Sequence, residues 1–299
     1  MIIRAVRSYW SAPPCFYSWA GIIPIMASPP FCFLISHRVA LPLSWKGQTF
    51  FAWRIENKMS VMWNLWHGCH KISEGCRHCY VYRRDSLYDK DSRVVTRTAA
   101  FDLPLRRRRN GEYRIPPGTR VYTCFTSDFF LAEADEWRTE AWAMIRRRCD
   151  LSFVIPTKRI DRFGVALPAD WGNGYAHVTI ACTIENQEQL EKRLPIFKAL
   201  PICQKLLLCE PLLGSLDFHG LLTGDIDEVS VGGESGSDAR VCDYDWVLDI
   251  RRQCIEQGVS FHFHQTGARL RKEGHIYRIR RDLQYSQARR AGIDYEVFR

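Results

Sequence analysis

VMWNLWHGCHKISEGCRHCY, residues 61–80, passes from an apolar, aromatic run straight into a loop carrying Cys69, Cys76 and Cys79. The run reads as a short buried β-strand, and the polar stretch behind it as the loop at its C-terminal end. The spacing is C-x6-C-x2-C, and thiolates this close in the chain can converge on one metal centre. A core stripe is a poor account of them, because Lys71, Ser73, Glu74 and Arg77 lie between. Gly68 and Gly75 each precede a cysteine, which suits a backbone wrapping closely round something. Two metal readings stand side by side. One is a [4Fe–4S] cluster with one iron lacking a protein ligand; the other is a zinc site completed by His67, His70 or His78. Structural zinc motifs commonly offer two pairs of ligands, whereas this loop offers one close pair and one distant cysteine. Plain buried thiols are the weakest account.

Outward from this loop, β-rich runs alternate with helical patterns, the signature of βα units and a parallel sheet. Strands are expected at 61–66, 120–125, 151–155, 176–182, 204–209, 226–231 and 259–264, several of them apolar enough to be buried on both faces. Helices are expected over 135–149 and 243–257, the second stopped by Gly258, and over 185–200 with a break at Pro195. The loop 82–119, with Arg106 to Arg109 in a row, reads as a charged surface excursion. The fold class is therefore α/β, a partial parallel (β/α) barrel of TIM-barrel type with the cysteine loop after its first strand.

Every expected strand hands over to polar side chains, and in a parallel barrel those ends share one rim, where active sites form. They are the three cysteines; Ser127 and Asp128; Thr157, Lys158 and Arg159; Glu185 and Asn186; Glu210; Gly232, Gly233, Glu234 and Ser235; and Gln265 and Thr266. Asp128, Lys158, Glu185, Glu210, Gly232, Gly233 and Glu234 are the candidates for ligand contacts. Glu210 has a second reading, as the ion-pair partner of Lys158 or Arg159. Asn186 is better read as a helix cap. His262 and His264 alternate with Phe261 and Phe263, so one face of the seventh strand carries both, and a satisfied core histidine is the commoner role for such a residue.

Composition narrows the classes. The chain has 299 residues, 46% hydrophobic and 25% charged, as in ordinary globular proteins. It has twelve cysteines, and those outside the loop are spread through strand-like runs (Cys124, Cys182, Cys209) or helix-like ones (Cys149, Cys254) of a long chain, which fits free thiols in a reducing cytoplasm better than a disulfide framework. The net charge of +9 does not mark a nucleic-acid binder: residues 1–58 hold six bases against Glu56 alone, and the other 241 residues carry 36 bases against 32 acids. Residues 1–58 show no sustained period and read as a disordered leader or a start assigned too early, with Met59 opening the working protein. No apolar run there reaches about 18 residues, so no membrane span is expected. Residues 271–299 read as a charged helical tail, after a barrel over 59–270.

The runs MWNLWHGCHKISEGCRHCY, TSDFF, PTKR, TIENQE, LLLCEPLLGSLDF, GGESGSDAR and VSFHFHQTG, in this order, resemble an uncharacterised phage-derived protein family described as radical-SAM-like. More distantly, the cysteine loop resembles the radical S-adenosylmethionine (SAM) superfamily. The departures are the C-x6-C-x2-C spacing in place of C-x3-C-x2-C, His78 where an aromatic residue usually precedes the last cysteine, and HFHQTG in place of an FFKQWG-like ending. The resemblance implies a [4Fe–4S] cluster on Cys69, Cys76 and Cys79, SAM on its open iron, and reductive cleavage to a 5′-deoxyadenosyl radical. It also implies a reductant such as flavodoxin or ferredoxin, and it names no substrate. Two rivals remain: a non-catalytic, zinc-stabilised binding module, and a phage nucleic-acid accessory protein using Arg106 to Arg109.

Overall fold

The computed structural model describes residues 59–222 and 224–297, so the leader expected over 1–58 lies outside the described residues. Seven strands form one sheet: β1 (Ser60–Trp63), β2 (Arg120–Thr123), β3 (Ser152–Thr157), β4 (Val178–Thr183), β5 (Gln204–Cys209), β6 (Glu228–Gly232) and β7 (Ser260–Gln265). Each pairs in parallel with the next, and spatial order equals chain order. The sheet curls into a half-barrel that brings all seven C-terminal ends to one rim.

Side-chain alternation sorts the strands into two faces. Phe153, Ile155, Ile180, Cys182, Leu207, Cys209, Val229, Val231, Phe261 and Phe263 face outward into the main core. Val154, Ala181, Leu206 and Leu208, with Tyr122 against them, make a smaller apolar patch on the concave face. Apolar side chains on both faces explain why the middle strands read as continuous hydrophobic runs.

Three crossovers carry helices: α2 (Asp135–Arg147), α3 (Gln187–Ala199) and α4 (Tyr244–Glu256). Their apolar stripes (Ala141, Trp142 and Ile145; Leu190, Leu194 and Phe197; Val247, Ile250 and Cys254) close over the outer face. The expected break at Pro195 does not occur. α3 continues through it because Leu194 and Phe197 keep the buried stripe in phase, and that burial outweighs one missing backbone bond. Of the other three crossovers, those after β3 and β5 depart from strict strand–helix alternation. After β3 the chain makes only a short turn at Ile160–Arg162, and Phe163 and Trp171 fill the helix's place, Trp171 packing 5.0 Å from Trp142. After β5, Leu212, Leu216, Phe218 and Leu222 do the same.

The segment 82–119 is more than a surface excursion. Phe101 and Ile115 are buried in the main core, and the Trp63 indole donates to the Phe101 carbonyl at 3.0 Å. The region expected as a helical tail begins as a hairpin, β8 (Arg269–Lys272) and β9 (His275–Arg278), before α5 (Gln284–Ala291) packs beside β7. No helix of the described residues is long and apolar enough to cross a membrane.

Candidate metal centre

Beyond β1, Trp66 and His67 pair antiparallel with Thr96 and Arg97, which turns the chain onto the rim. Gly68 sits at φ +99, where a Cβ would stand 2.3 Å from the Val94 carbonyl oxygen, so only glycine fits. The Cys69 amide then donates to Ser92 at 2.8 Å. A single turn follows, with Cys76 N–H to Ser73 O at 3.0 Å and Cys79 N–H to Cys76 O at 3.3 Å, and α1 (Tyr80–Asp85) starts directly behind it. Three residues apart across one turn, Cys76 and Cys79 share a face. Cys69 approaches from the other arm of the loop. Its thiol is pushed up to about 12, chiefly by burial, with the Asp128 carboxylate and then Cys76 and Cys79 adding to the rise and Arg159 opposing it. All three cysteines are free, half-buried thiols. A half-buried thiol this reluctant to ionise must give up its proton in favour of a bound cation before it can act as a ligand. Among the described residues no three His, Cys, Asp or Glu side chains are gathered at metal-binding separation, so the thiols must turn toward one another to share a centre.

Two braces hold the loop. The first comes from β4: Glu185, wholly buried, is ion-paired with Arg193 of α3 at 2.7 Å and accepts a hydrogen bond from the Ser73 hydroxyl. Gly75 rests on it, since a Cβ there would lie 2.7 Å from Glu185 Oε1. The second comes from β6: Glu234 accepts from the Arg240 guanidinium at 2.5 and 2.9 Å and pairs with His78 Nδ1 at 3.2 Å. Burial pushes the Glu234 carboxyl up, but the Arg240 contacts outweigh it and the net shift is downward. Arg240 also donates to the Glu74 carboxylate at 2.9 Å and to its carbonyl at 3.0 Å. The GGESGSDAR run therefore folds back onto the cysteine loop.

The remaining expected residues have specific places. Asp128 accepts from the Thr157 hydroxyl at 2.7 Å and from the amides of Phe130 and Lys158 at 3.0 and 2.9 Å, tying the β2 and β3 rim loops together. Gly232 and Gly233 make room for neighbours: a Cβ on Gly232 would meet the Glu210 carboxyl at 2.8 Å, and one on Gly233 the Thr266 carbonyl at 2.5 Å. Asn186 caps α3, accepting from the Gln189 amide at 3.0 Å. Lys158 is half-buried at the rim and lies near enough to Cys182 to bias it electrostatically. Each loop histidine commits one ring nitrogen to a carboxylate: His67 to Asp85 at 2.7 Å, His70 to Glu133 at 2.5 Å, and His78 to Glu234.

Glu210 pairs with neither Lys158 nor Arg159. It accepts from His264 Nδ1 and Gln265 Nε2, each at 2.7 Å, because β5 and β7 flank β6 and their ends meet over Gly232. Arg159 instead reaches the His70 carbonyl at 2.8 Å and stands 3.9 Å from Asp128. Burial pushes Glu210 up, yet His264 and Gln265 bring the net shift below the usual carboxylate value. Burial pushes His264 down, yet Glu210 takes it above the usual imidazole value. Glu210 contributes stability above about pH 4.5, lost as pH falls through its depressed value. His264 contributes stability below about pH 6.5, lost as pH rises through its raised value. The pair therefore contributes fully between those limits. An imidazole NMR titration should place the His264 midpoint above 6.5 and show it falling in Glu210→Gln; a midpoint that ignores that substitution contradicts the pairing.

Ser73, Arg193 and Arg240 were not expected. For Arg193 the signal was available, a base set into the Leu190, Leu194 and Phe197 stripe. Of the four consecutive arginines, Arg106 is paired with Asp102 at 2.7 Å and Arg107 lies over the Tyr113 ring at 4.1 Å, so half of that basic run is engaged within the fold. A cleft of about 750 Å³ opens in the outer layer between α3, residues 215–220 and α4, away from the rim chemistry. Its charges are spent on one another, Arg252 pairing with Asp249 and Glu256 at 2.6 and 2.8 Å.

No curated protein and no solved structure matches this chain. One family model, described as Protein of unknown function (DUF5131), matches residues 54–295, a span that takes in the cysteine loop, all seven strands, both braces and α5. The chain belongs to that family.

Proposed function

We propose that this chain is an iron–sulfur enzyme that holds a [4Fe–4S] cluster on Cys69, Cys76 and Cys79 and binds SAM beside it. One observation carries the reading: three free, half-buried cysteines on one loop at the C-terminal rim of a parallel half-barrel. When bound, the cluster and SAM supply reductive cleavage to a 5′-deoxyadenosyl radical. The chain's own part is to hold the three thiolates, fix the loop between the Glu185 and Glu234 braces, and keep water from the rim. Of the residues expected to touch ligand, Lys158 is kept as a contact, for an anionic group. Asp128, Glu185, Glu210 and Glu234 act as positioning residues, since their oxygens are given to neighbouring groups.

Exposed Lys71, Arg77, Arg84 and Lys90 around the loop suit an acidic one-electron donor such as flavodoxin or ferredoxin. The reading places the protein in a reducing cytoplasm, where its thiols survive.

The test is anaerobic reconstitution of the full chain with iron and sulfide, followed by metal analysis and low-temperature EPR of the reduced protein with and without SAM. The expected result is about four irons per chain and a spectrum that SAM alters. About one zinc per chain, no cluster signal and no response to SAM would end the enzyme reading and leave a zinc-stabilised binding module.

A further inference from the structure

The charge of the chain beyond residue 58 is segregated. Residues 59–268 hold 27 bases against 28 acids, whereas residues 269–290, which form the hairpin of β8 and β9 and most of α5, hold 8 bases against 2 acids. A near-neutral total therefore hides one strongly basic element. Three of its bases have a carboxylate nearby: Arg271 pairs with Asp243 at 3.1 Å, Arg280 with Asp282 at 2.9 Å, and Lys272 stands 3.9 Å from Glu273. Arg278, Arg289 and Arg290 are exposed and meet no carboxylate among the described residues. A solvated face mixes its signs, as the rest of this chain does; a single-sign face attracts a polyanion.

The hairpin is pinned on one side and open on the other. Leu270 is buried, and with Arg271 it pairs in parallel with Cys242 and Asp243, so β8 is the inner strand and β9 the free edge. β9 is exposed throughout. His275 and Tyr277 share one face, their rings 5.1 Å apart, while Ile276 and Arg278 share the other with Arg271 and Arg269 opposite them in register. Charge on an edge strand ordinarily serves to block pairing with another chain. That role does not call for two exposed rings in the same strand, nor for arginines on the neighbouring helix.

This edge adjoins the rim. The Arg269 guanidinium donates to the Ser237 carbonyl at 3.3 Å, within the GGESGSDAR run that folds onto the cysteine loop. Arg281 lies 5.4 Å over the Tyr285 ring, which stands 5.0 Å from the ring of His264, the partner of Glu210.

We propose that the free edge of β9, with the exposed arginines of α5, binds single-stranded nucleic acid. Phosphates meet the guanidinium groups of Arg269 and Arg278, and Arg289 and Arg290 extend those contacts about 8 Å along α5 from Gln284. Bases stack on Tyr277 and His275. The charge selects a polyanion, and the open rings select unstacked bases over an acidic protein or a duplex, whose base faces are covered. Under the iron–sulfur reading the bound strand is also the class of substrate that the rim meets. That consequence rests on the reading; the binding does not.

The test is fluorescence anisotropy of a labelled single strand of about 20 nucleotides, as DNA and as RNA, with the full chain before any iron is added. Binding should weaken with salt, log K against log salt falling with a slope of about −3, or roughly 0.7 per phosphate contact. Changing Arg278, Arg289 and Arg290 together to Ala should weaken binding at least tenfold and make the slope shallower by about 2. Tyr277→Ala should weaken it about fivefold or more at unchanged slope, since it removes a stacking ring and no charge. Melting points of the variants separate lost binding from lost fold. Arg278→Ala alone, with a slope shallower by about 0.7, keeps the test open if the triple variant does not fold. Arg108→Ala with Arg109→Ala is the control and should change neither affinity nor slope. A duplex of the same sequence should bind more weakly than the strand, and polyglutamate should not displace it. No binding, binding that the triple variant leaves unchanged, or equal loss in the control overturns the proposal. Duplex binding as tight as the strand, or displacement by polyglutamate, overturns it in favour of a duplex or an acidic protein. Because no iron is present, failure here leaves the iron–sulfur reading untouched.

Discussion

Cys76→Ala should leave the reconstituted chain with under one iron, against about four expected of the unaltered chain if the proposed cluster forms. Cys76 and Cys79 occupy one turn, held by the Ser73 and Cys76 carbonyls, while Cys69 reaches them from the opposite arm. A cluster held by all three would be tied to both arms of the loop. Without Cys76 one thiolate would remain on each arm and the close pair would be lost. Loss of an outer hydrogen-bond partner costs a metal site about 10–100-fold, and loss of a direct ligand costs more. Cys203→Ala is the matched control, because Cys203 is an exposed free thiol in the connection before β5. Iron content measured in parallel on the two variants decides the matter. Equal iron in Cys76→Ala and the unaltered chain would remove the cysteine loop from metal binding altogether. Equal loss in both variants would point to general oxidative damage.

The half-barrel was legible because its strands are. Runs such as LSFVI and QKLLLC are apolar on both faces, and only a buried parallel strand needs that over so few residues. The crossovers at 158–177 and 210–227 were not legible. Phe163, Trp171, Leu216 and Phe218 fill helix-sized volumes without helical spacing, so no period announces them. The hairpin of β8 and β9 carried a turn signal, Glu273-Gly274, and both residues have positive φ as a two-residue hairpin turn requires. β9 is exposed throughout, however, and its neighbours are arginines and lysines, so no apolar alternation marked it as a strand. The rim followed the same division. The three cysteines and the strand-end acids could be read from position. Their partners could not: Ser73 meets Glu185 across 112 residues, and Arg240 meets Glu74 across 166, distances that no local pattern encodes. That is why acids expected to face a ligand, Glu185 and Glu234, turn out to be spent on the loop that carries the cysteines.

Arg193→Met should destabilise the chain by about 3–5 kcal/mol, more than removing the acid it faces. Glu185 is wholly buried, and its guanidinium partner at 2.7 Å is nearly so. Deleting the base strands a carboxylate in the core with the Ser73 hydroxyl as its remaining side-chain partner. An uncompensated buried charge is among the few point changes that cost this much. Glu185→Gln should cost less, since the amide oxygen still accepts from Ser73. The double variant Glu185→Leu with Arg193→Met should recover most of the loss, because two apolar side chains of similar volume avoid the desolvation that the ion pair must offset. Denaturation midpoints for the three variants test this. For a domain of this size the Arg193→Met loss corresponds to a melting point lower by roughly 10 °C. A loss under 1 kcal/mol would mean that solvent reaches the pair. The double variant separates stability from positioning. It restores the fold but leaves Ser73 and Gly75 without the Glu185 carboxylate beneath them. If Glu185 positions the cysteine loop, that variant should melt near the unaltered protein and still take up iron poorly. Full iron uptake in the stable double variant would reduce Glu185 to a core ion pair with no bearing on the metal site.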